Sequence, residues 1–520
     1  MIRFMALNRR TFLLLASALG TSAAWRSRRG CAQDRATLRI RSYSDLQVLD
    51  PLNRLAQPEG DIMDAIFSNL IKAKPGEKWD WQLDAAASIE QIDDRHVDFT
   101  LRQGIQFSGG FGELSAEDVK FSFERIADPK NESPYRDDWA VLDRVEVKGP
   151  YAGTIVLKDP FAPLWTISLV RASGSIVSKK AVEAAGGKFT TEPPAMSGPY
   201  VLKEWQPKQK TILARNPDFY GPAPEFEEVH VFPIEDEKTA EIAFEAGELD
   251  YTDISLSSLP ELKASQPPGT RIIERPAMSY VWLGMNVDNP ALGDVRVRQA
   301  VQKAVDVDAV LEAAYFGVAE RSTGIIAPGL PGHRDIPPPK RDLEGAQQLL
   351  EQAGVSSLDL TLDLLNKTEY TSAAQVIQAN LAEVGVNVEI KPHDSGTFWT
   401  IGDESAGDAW KDLQLILNRF SMQPDPSFAT AWFTPEQIGV WNWERFDSKE
   451  FGDLHDRAII ETDPEQRHEM YVRMQGLMED SGAYVFLTHE LNAAVYRDHL
   501  NPGLLPDGTA RFAEFRLAKS

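Results

Sequence analysis

The chain has 520 residues, 42% hydrophobic and 25% charged, enough for two or three globular domains. Its 54 lysines and arginines face 78 aspartates and glutamates, a formal charge of −24, which excludes a nucleic-acid binder because phosphate contacts need a positive face. The single cysteine, Cys31, excludes an internal disulfide and any cysteine-based zinc site.

Residues 1–32 read as an export signal. Arg9 and Arg10 precede an apolar run from Phe12 to Leu19, and the small residues Gly20 to Ala24 offer a cleavage zone. The order from Asn8 to Leu13 resembles a twin-arginine signal, which implies export as a folded protein. Cleavage fits after Ala24 or after Ala32, and either product is acidic. Lipid anchoring through Cys31 is not expected, since Arg28-Arg29-Gly30 lacks the apolar residues of a lipoprotein signal.

Residues 37–43 alternate apolar and polar as a strand does, and Leu49-Asp50-Pro51 reads as the end of that element. Further on, Ser115 is placed to cap a helix with Glu117 and Asp118 in its first turn and Val119, Phe123 and Ile126 on one face. At Gly198-Pro199, glycine is expected to allow a backbone that other residues resist. Residues 237–247 read as a helix stopped by glycine.

In mid-chain, Tyr280-Val281-Trp282-Leu283 reads as a buried strand broken at Asn289-Pro290. Val297, Ala300, Val301, Ala304 and Val305 then mark one helical face, with Arg296, Arg298, Gln299 and Lys303 expected on the wet side. Asp342 can cap a helix carrying Leu343, Ala346, Leu350 and Ala353 on one face. The alternating Leu358, Leu360, Leu362 and Leu364, a helix over residues 371–384, and a strand over 386–390 make a βαβ unit, which requires a parallel pairing. Residues 483–489 form an apolar strand placed to cross back, after which the tail rejoins the first globule.

Several of these passages carry a resemblance. Asn286 and Pro290 followed by Arg296-Val297-Arg298-Gln299-Ala300, the strands around Leu83–Ser88 and Asp98–Phe107, the Ser115–Ser122 helix start, Gly198-Pro199-Tyr200, Asn216-Pro217-Asp218-Phe219-Tyr220 and Glu248-Leu249-Asp250 resemble the peptide-type (family 5) extracytoplasmic solute-binding proteins of ABC importers. That resemblance runs from about residue 36 to the C-terminus. It implies an α/β, two-lobe periplasmic-binding-protein fold (type II, cluster C) with an extra subdomain inserted in the first lobe. It places lobe I in residues 36–78, 196–282 and 488–520, the inserted subdomain in 79–195 and lobe II in 283–487. It further implies a periplasmic, monomeric receptor that takes a peptide or peptide-like solute (oligopeptide, opine or amino-acid conjugate), uses no metal or cofactor, and hands its ligand to permease and ATPase subunits.

Ligands of such lobes sit at the carboxyl ends of strands. In the first lobe this points to Tyr43 and Gln57, in the loop beyond the first strand. In the second it points to Lys367 and Tyr370, to Asn418, Arg419 and Asp425, to Trp441, Asn442 and Trp443, and to Trp399. Aromatic residues would bracket a flat or apolar group while amides and charges supply direction. Dipeptide receptors of the family carry an arginine in the first of these second-lobe loops and an earlier acid in the next, where this chain has Lys367 and Met422. A plain dipeptide is therefore disfavoured. Arg419 can meet a ligand carboxylate or a neighbouring acid, and Asp425 can serve a ligand or cap a turn. No H-E-x-x-H, G-x-S-x-G, S-x-x-K or phosphate-binding glycine loop occurs. The rival readings are a secreted hydrolase of peptides or esters and a peptide-binding sensor without transport.

Overall fold

A computed structural model describes residues 36–53 and 56–518 of the chain, so the export signal and Cys31 lie outside the described residues. The chain begins with β1 (Thr37–Ser42) and α1 (Gln57–Ile66). It then builds β2 (Ala86–Asp93), β3 (His96–Leu101), α2 (Ala116–Ala127), β4 (Leu142–Gly149) and β5 (Ala152–Leu157). These four strands form an antiparallel sheet in the order β2-β3-β5-β4, with its own core of Val97, Phe99, Phe123, Trp139 and Ile155. Ser115 caps α2 as expected, in a reciprocal box with Asp118.

The chain next returns to β1 through β6 (Tyr200–Gln206), β7 (Lys210–Arg215), β8 (Glu228–Pro233), α3 (Glu237–Glu245), β9 (Tyr251–Asp253) and β10 (Thr270–Pro276). The second lobe follows: β11 (Ser279–Met285), α4 (Val295–Ala304), α5 (Val307–Tyr315), α6 (Leu343–Gln352), β12 (Leu358–Leu365), α7 (Thr368–Ala382), β13 (Val386–His393), β14 (Leu415–Ser421), α8 (Lys449–Ile460), α9 (Pro464–Asp480) and β15 (Tyr484–Thr488). Last comes β16 (Leu491–Arg497). A seven-stranded sheet in the order β6-β7-β8-β1-β9-β16-β10 forms the first lobe, and a five-stranded sheet in the order β13-β12-β14-β11-β15 forms the second.

Because β11 is buried on both faces, its residues alternate between two cores. Val281, Leu283 and Met285 join α4 to α7, while Tyr280 and Trp282 join α8 and α9. Each such side chain contributes about 1.5–3 kcal/mol when fully buried. The pairing of β12 with β13 is parallel, as the βαβ pattern requires.

Four details differ from the sequence reading. Arg298 is buried, not on the wet side: its guanidinium donates to the carbonyls of Leu292, Gly293 and Ser481 and so satisfies backbone acceptors around α4. Asp50 lies eight residues beyond the end of β1 and is fully buried in a bidentate pair with Arg125, at 2.7 Å on each arm. Gly198 is required by space rather than by φ, since a Cβ there would stand 2.5 Å from the Ala65 carbonyl oxygen. Finally, all of β11 belongs to the second sheet, so the first crossing between lobes falls at Ala277–Met278 rather than after Trp282.

Candidate functional site

Two strands cross between the lobes side by side, the one from β10 to β11 and the other from β15 to β16. They are tied to each other at the crossing. The Ser279 hydroxyl lies 2.7 Å from the Glu490 carboxylate and 3.0 Å from the His489 carbonyl, and His489 Nδ1 lies 2.9 Å from the Ser279 carbonyl. Since that carbonyl can only accept, Nδ1 carries the ring proton. Burial pushes the His489 imidazole down to about 4, so it is neutral. Glu490 sits at a left-handed φ of 60°, also accepts from Arg419 Nε at 2.8 Å, and faces the Tyr315 hydroxyl at 3.4 Å.

Beside this crossing a cavity of about 670 Å³ opens between the lobes. Arg41, Tyr43, Glu235, Glu237 and Asp253 wall it from the first lobe, Tyr315, Phe316, Thr368 and Glu369 from the second, and Glu490 from the crossing. Arg41 is already engaged, donating to the carbonyls of Ile234 and Glu235 at 2.8 Å and pairing with Asp253 at 3.3 Å. The wall is therefore strongly acidic. Burial raises the carboxyls of Asp253 and Glu237 against the opposing charge of Arg41, and the neighbouring acids Asp253, Glu241 and Asp236 raise Glu237 further. Yet the Asp253 side chain remains 53% exposed, open to the cavity. Such a site favours a group that brings positive charge.

The site residues expected from sequence fall into three sets. Tyr43 lies on the cavity wall at the end of β1, and its hydroxyl accepts from the Gln57 backbone N–H at 3.3 Å. Gln57 opens α1 and donates to Asp61 at 2.6 Å, so it braces Tyr43 rather than walling the cavity. Lys367 is exposed, with its ammonium 5.8 Å from the centre of the Tyr370 ring, and Tyr370 is buried among α5 and α7. Arg419 meets Glu490, the second of the two partners its sequence setting offered.

Around the second-lobe loops, Asn418 is buried on β14 with its Nδ2 unpartnered, while its Oδ1 accepts from the Arg419 N–H. Trp399 stacks on Phe420 with ring centres 6.3 Å apart, and Trp441 meets Trp432 and Phe420 edge-on at 5.9 and 6.0 Å. These rings are half-buried and form an aromatic wall. Trp443, two residues on, is buried beneath this wall, its ring stacked on that of Trp441 with centres 6.5 Å apart, and a Cβ on Gly402 would strike it at 2.2 Å.

The structure corrects two of these assignments. Asn442 is fully buried and its amide donates to the carbonyls of Phe433, Thr434 and Phe446, which organises the loop and leaves nothing for a ligand. Asp425 is also fully buried; its oxygens are taken by Arg467 at 2.7 and 2.9 Å, by Ser427, and by the Thr166 hydroxyl of the inserted subdomain at 3.1 Å. It is a structural ion pair that also touches the other lobe.

Sequence reasoning missed Glu235, Glu237 and Asp253. The carboxyl-end rule could have found them, because β1, β8 and β9 run parallel, which places Tyr43, Glu235 and Asp253 beyond or at the same ends. Among the described residues no group of three or more histidines, acids or cysteines could hold a metal, and no helix is long and apolar enough to cross a membrane.

Comparison with known proteins agrees with this geometry. The family described as "Bacterial extracellular solute-binding proteins, family 5 Middle" matches residues 80–439. The dipeptide-binding protein of Escherichia coli (strain K12) is 26% identical over 428 residues, 76% of this chain and 78% of that protein. Among solved structures, HbpA2 from Haemophilus parasuis superposes with a TM-score of 0.82 at 22% identity, covering 93% of this chain and all of that one. The periplasmic binding protein DppA from Helicobacter pylori, in complex with the peptide STSA, gives 0.72 at 24% identity over 93% of this chain and 98% of that one. With two α/β lobes, a paired crossing and a cavity walled from both sides, the chain belongs to the family 5 bacterial extracellular solute-binding proteins.

Proposed function

We propose that this protein is the periplasmic receptor of an ABC importer and captures an amine-bearing peptide or peptide-like solute between its lobes for delivery to the permease. The observation that carries this reading is the 670 Å³ cavity at the crossing, walled by residues of both lobes and by the crossing itself. A ligand that touches both walls has contacts in the closed state that it lacks in the open one, and this differential affinity is what drives closure. The carboxylates of Glu235, Glu237, Asp253 and Glu369 suit the ammonium of such a solute. Relatives that bind dipeptides and glutathione support the peptide-like class.

In this reading the lobes divide as the sequence suggests, with the first boundary moved to Ala277–Met278. The chain is exported by its N-terminal signal through the twin-arginine route, works as a monomer without a cofactor, and catalyses nothing itself; ATP is consumed by its partners. The test is mass spectrometry of the small molecules released when the purified protein is denatured. The reading predicts an amine-bearing solute, recovered unchanged after incubation. Turnover that disappears on substitution of one residue would instead establish the secreted hydrolase.

A further inference from the structure

Besides the crossing strands, the inserted subdomain itself touches the second lobe. The Thr166 hydroxyl donates to Asp425 Oδ2 at 3.1 Å, a bond between residues 259 positions apart. Its surroundings share the contact: the turn Ala162–Trp165 lies against α8, and half-buried Trp79 packs on the second-lobe core that holds Tyr280, Trp282 and Phe433. The subdomain is fixed to the first lobe. Arg125 holds Asp50, and the Asn69 amide donates to the carbonyls of Leu169 and Arg171 at 3.0 and 2.8 Å, which pins the segment just after Thr166. Thr166 therefore moves with the first lobe.

Asp425 moves with the second lobe. Its Oδ1 accepts from the Ser427 hydroxyl at 2.7 Å and the Ser427 N–H at 3.0 Å, and Arg467 Nη2 bridges both oxygens. Arg467 is held in turn, since its Nε donates to the Ala458 carbonyl at 2.8 Å and its Nη2 to the Tyr471 hydroxyl at 3.1 Å. The acceptor is thus oriented without help from the first lobe. Withdrawing Thr166 leaves the carboxylate with its cation and lets water take the vacated position, so the cross-lobe bond can break and re-form without stranding a charge.

We infer that the inserted subdomain is a latch on the closed state, with the bond from Thr166 to Asp425 made as the lobes close and broken as they part. The inference rests on the receptor reading above. The two residues belong to bodies that the chain joins through the crossing strands, so a hinge motion there changes their separation. A hydrogen bond to a charged acceptor favours the closed form before any solute arrives. A solute that binds the closed form then gains apparent affinity in proportion to the closed fraction, and it leaves more slowly. Thr166 acts through the position of the lobes and touches no solute, which makes it a positioning residue.

The test measures the gap between the lobes in the solute-free protein by pulsed dipolar spectroscopy. Spin labels are placed on Asp94→Cys in the subdomain and Thr462→Cys in the second lobe, both exposed positions, in a chain carrying Cys31→Ser. Thr166→Val keeps the side-chain shape and removes the hydroxyl, while Thr166→Ser keeps the hydroxyl. The parent and Thr166→Ser should share one short distance. Thr166→Val should add a longer one, with the ratio of closed to open protein reduced roughly tenfold, the worth of one hydrogen bond to a charged group. An unchanged melting temperature in Thr166→Val separates this from damage to the fold. A Thr166→Val distance distribution identical to that of the parent would overturn the latch, and so would a parent already as widely spread as the variant. Either result leaves the receptor reading standing, because that reading fails on a different observation, the absence of any solute released from the denatured protein.

Discussion

Glu444 offers a quantitative check on the second lobe. Its side chain is 1% exposed; one oxygen accepts from Trp282 Nε1 at 2.7 Å and the other has no partner. Burial raises its carboxyl from 4.5 to about 7. A carboxyl with a raised pKa holds its proton more tightly when folded, so the stability it lends is complete below about 4.5 and is lost as pH rises towards 7. Between pH 5 and 8 the loss is about 2–3 kcal/mol. His489 works in the opposite sense. Its folded value is depressed from 6.5 to about 4, so its contribution is present above 6.5 and is lost as pH falls towards 4. Across the same interval that is about 2 kcal/mol, and the two nearly cancel in the parent.

Glu444→Gln keeps an acceptor for Trp282 and removes the titration. Urea unfolding followed by tryptophan emission should therefore show the variant gaining about 2–3 kcal/mol on the parent between pH 5 and pH 8. A variant whose stability runs parallel to that of the parent across this range would refute the burial argument for Glu444.

Asp425→Ala strands Arg467 in the core and should cost about 3–5 kcal/mol, read as a large drop in melting temperature; a variant as stable as its parent would mean the pair is not buried in solution. Gly198→Ala drives a Cβ into the end of α1 and should cost about 1–3 kcal/mol by the same assay, with an unaltered midpoint counting against the packing described. Glu235→Gln combined with Glu369→Gln removes two cavity charges and should weaken capture of lysine-containing peptides, with a shallower salt dependence; equal affinity at low and high salt in parent and variant would show that the cavity does not select by charge.

Periodicity made most of the scaffold legible. The alternation in β12, the helical faces of α2 and α4 and the caps at Ser115 and Asp342 follow from local chemistry that tertiary contacts reinforce. A charge beside an apolar stripe normally faces solvent, but Arg298 is buried because three backbone carbonyls around α4 need donors. Asp425 and Asn442 looked like ligand contacts for a related reason. A polar residue in a loop has the same sequence signature whether it serves a solute or the loop's own backbone, and only the geometry separates the two. The acids of the cavity carry no local pattern, since Glu235, Asp253 and Glu369 come from separate segments, and only their places at the ends of parallel strands link the first two.

The claim that a solute is gripped at the crossing is tested most directly by a crystal structure of the protein purified with its own ligand. Electron density touching Tyr43 and Asp253 on one side and Glu369 on the other is the expected result. A solute seated on the outer face of either lobe, with neither wall of the cavity in contact, would contradict it.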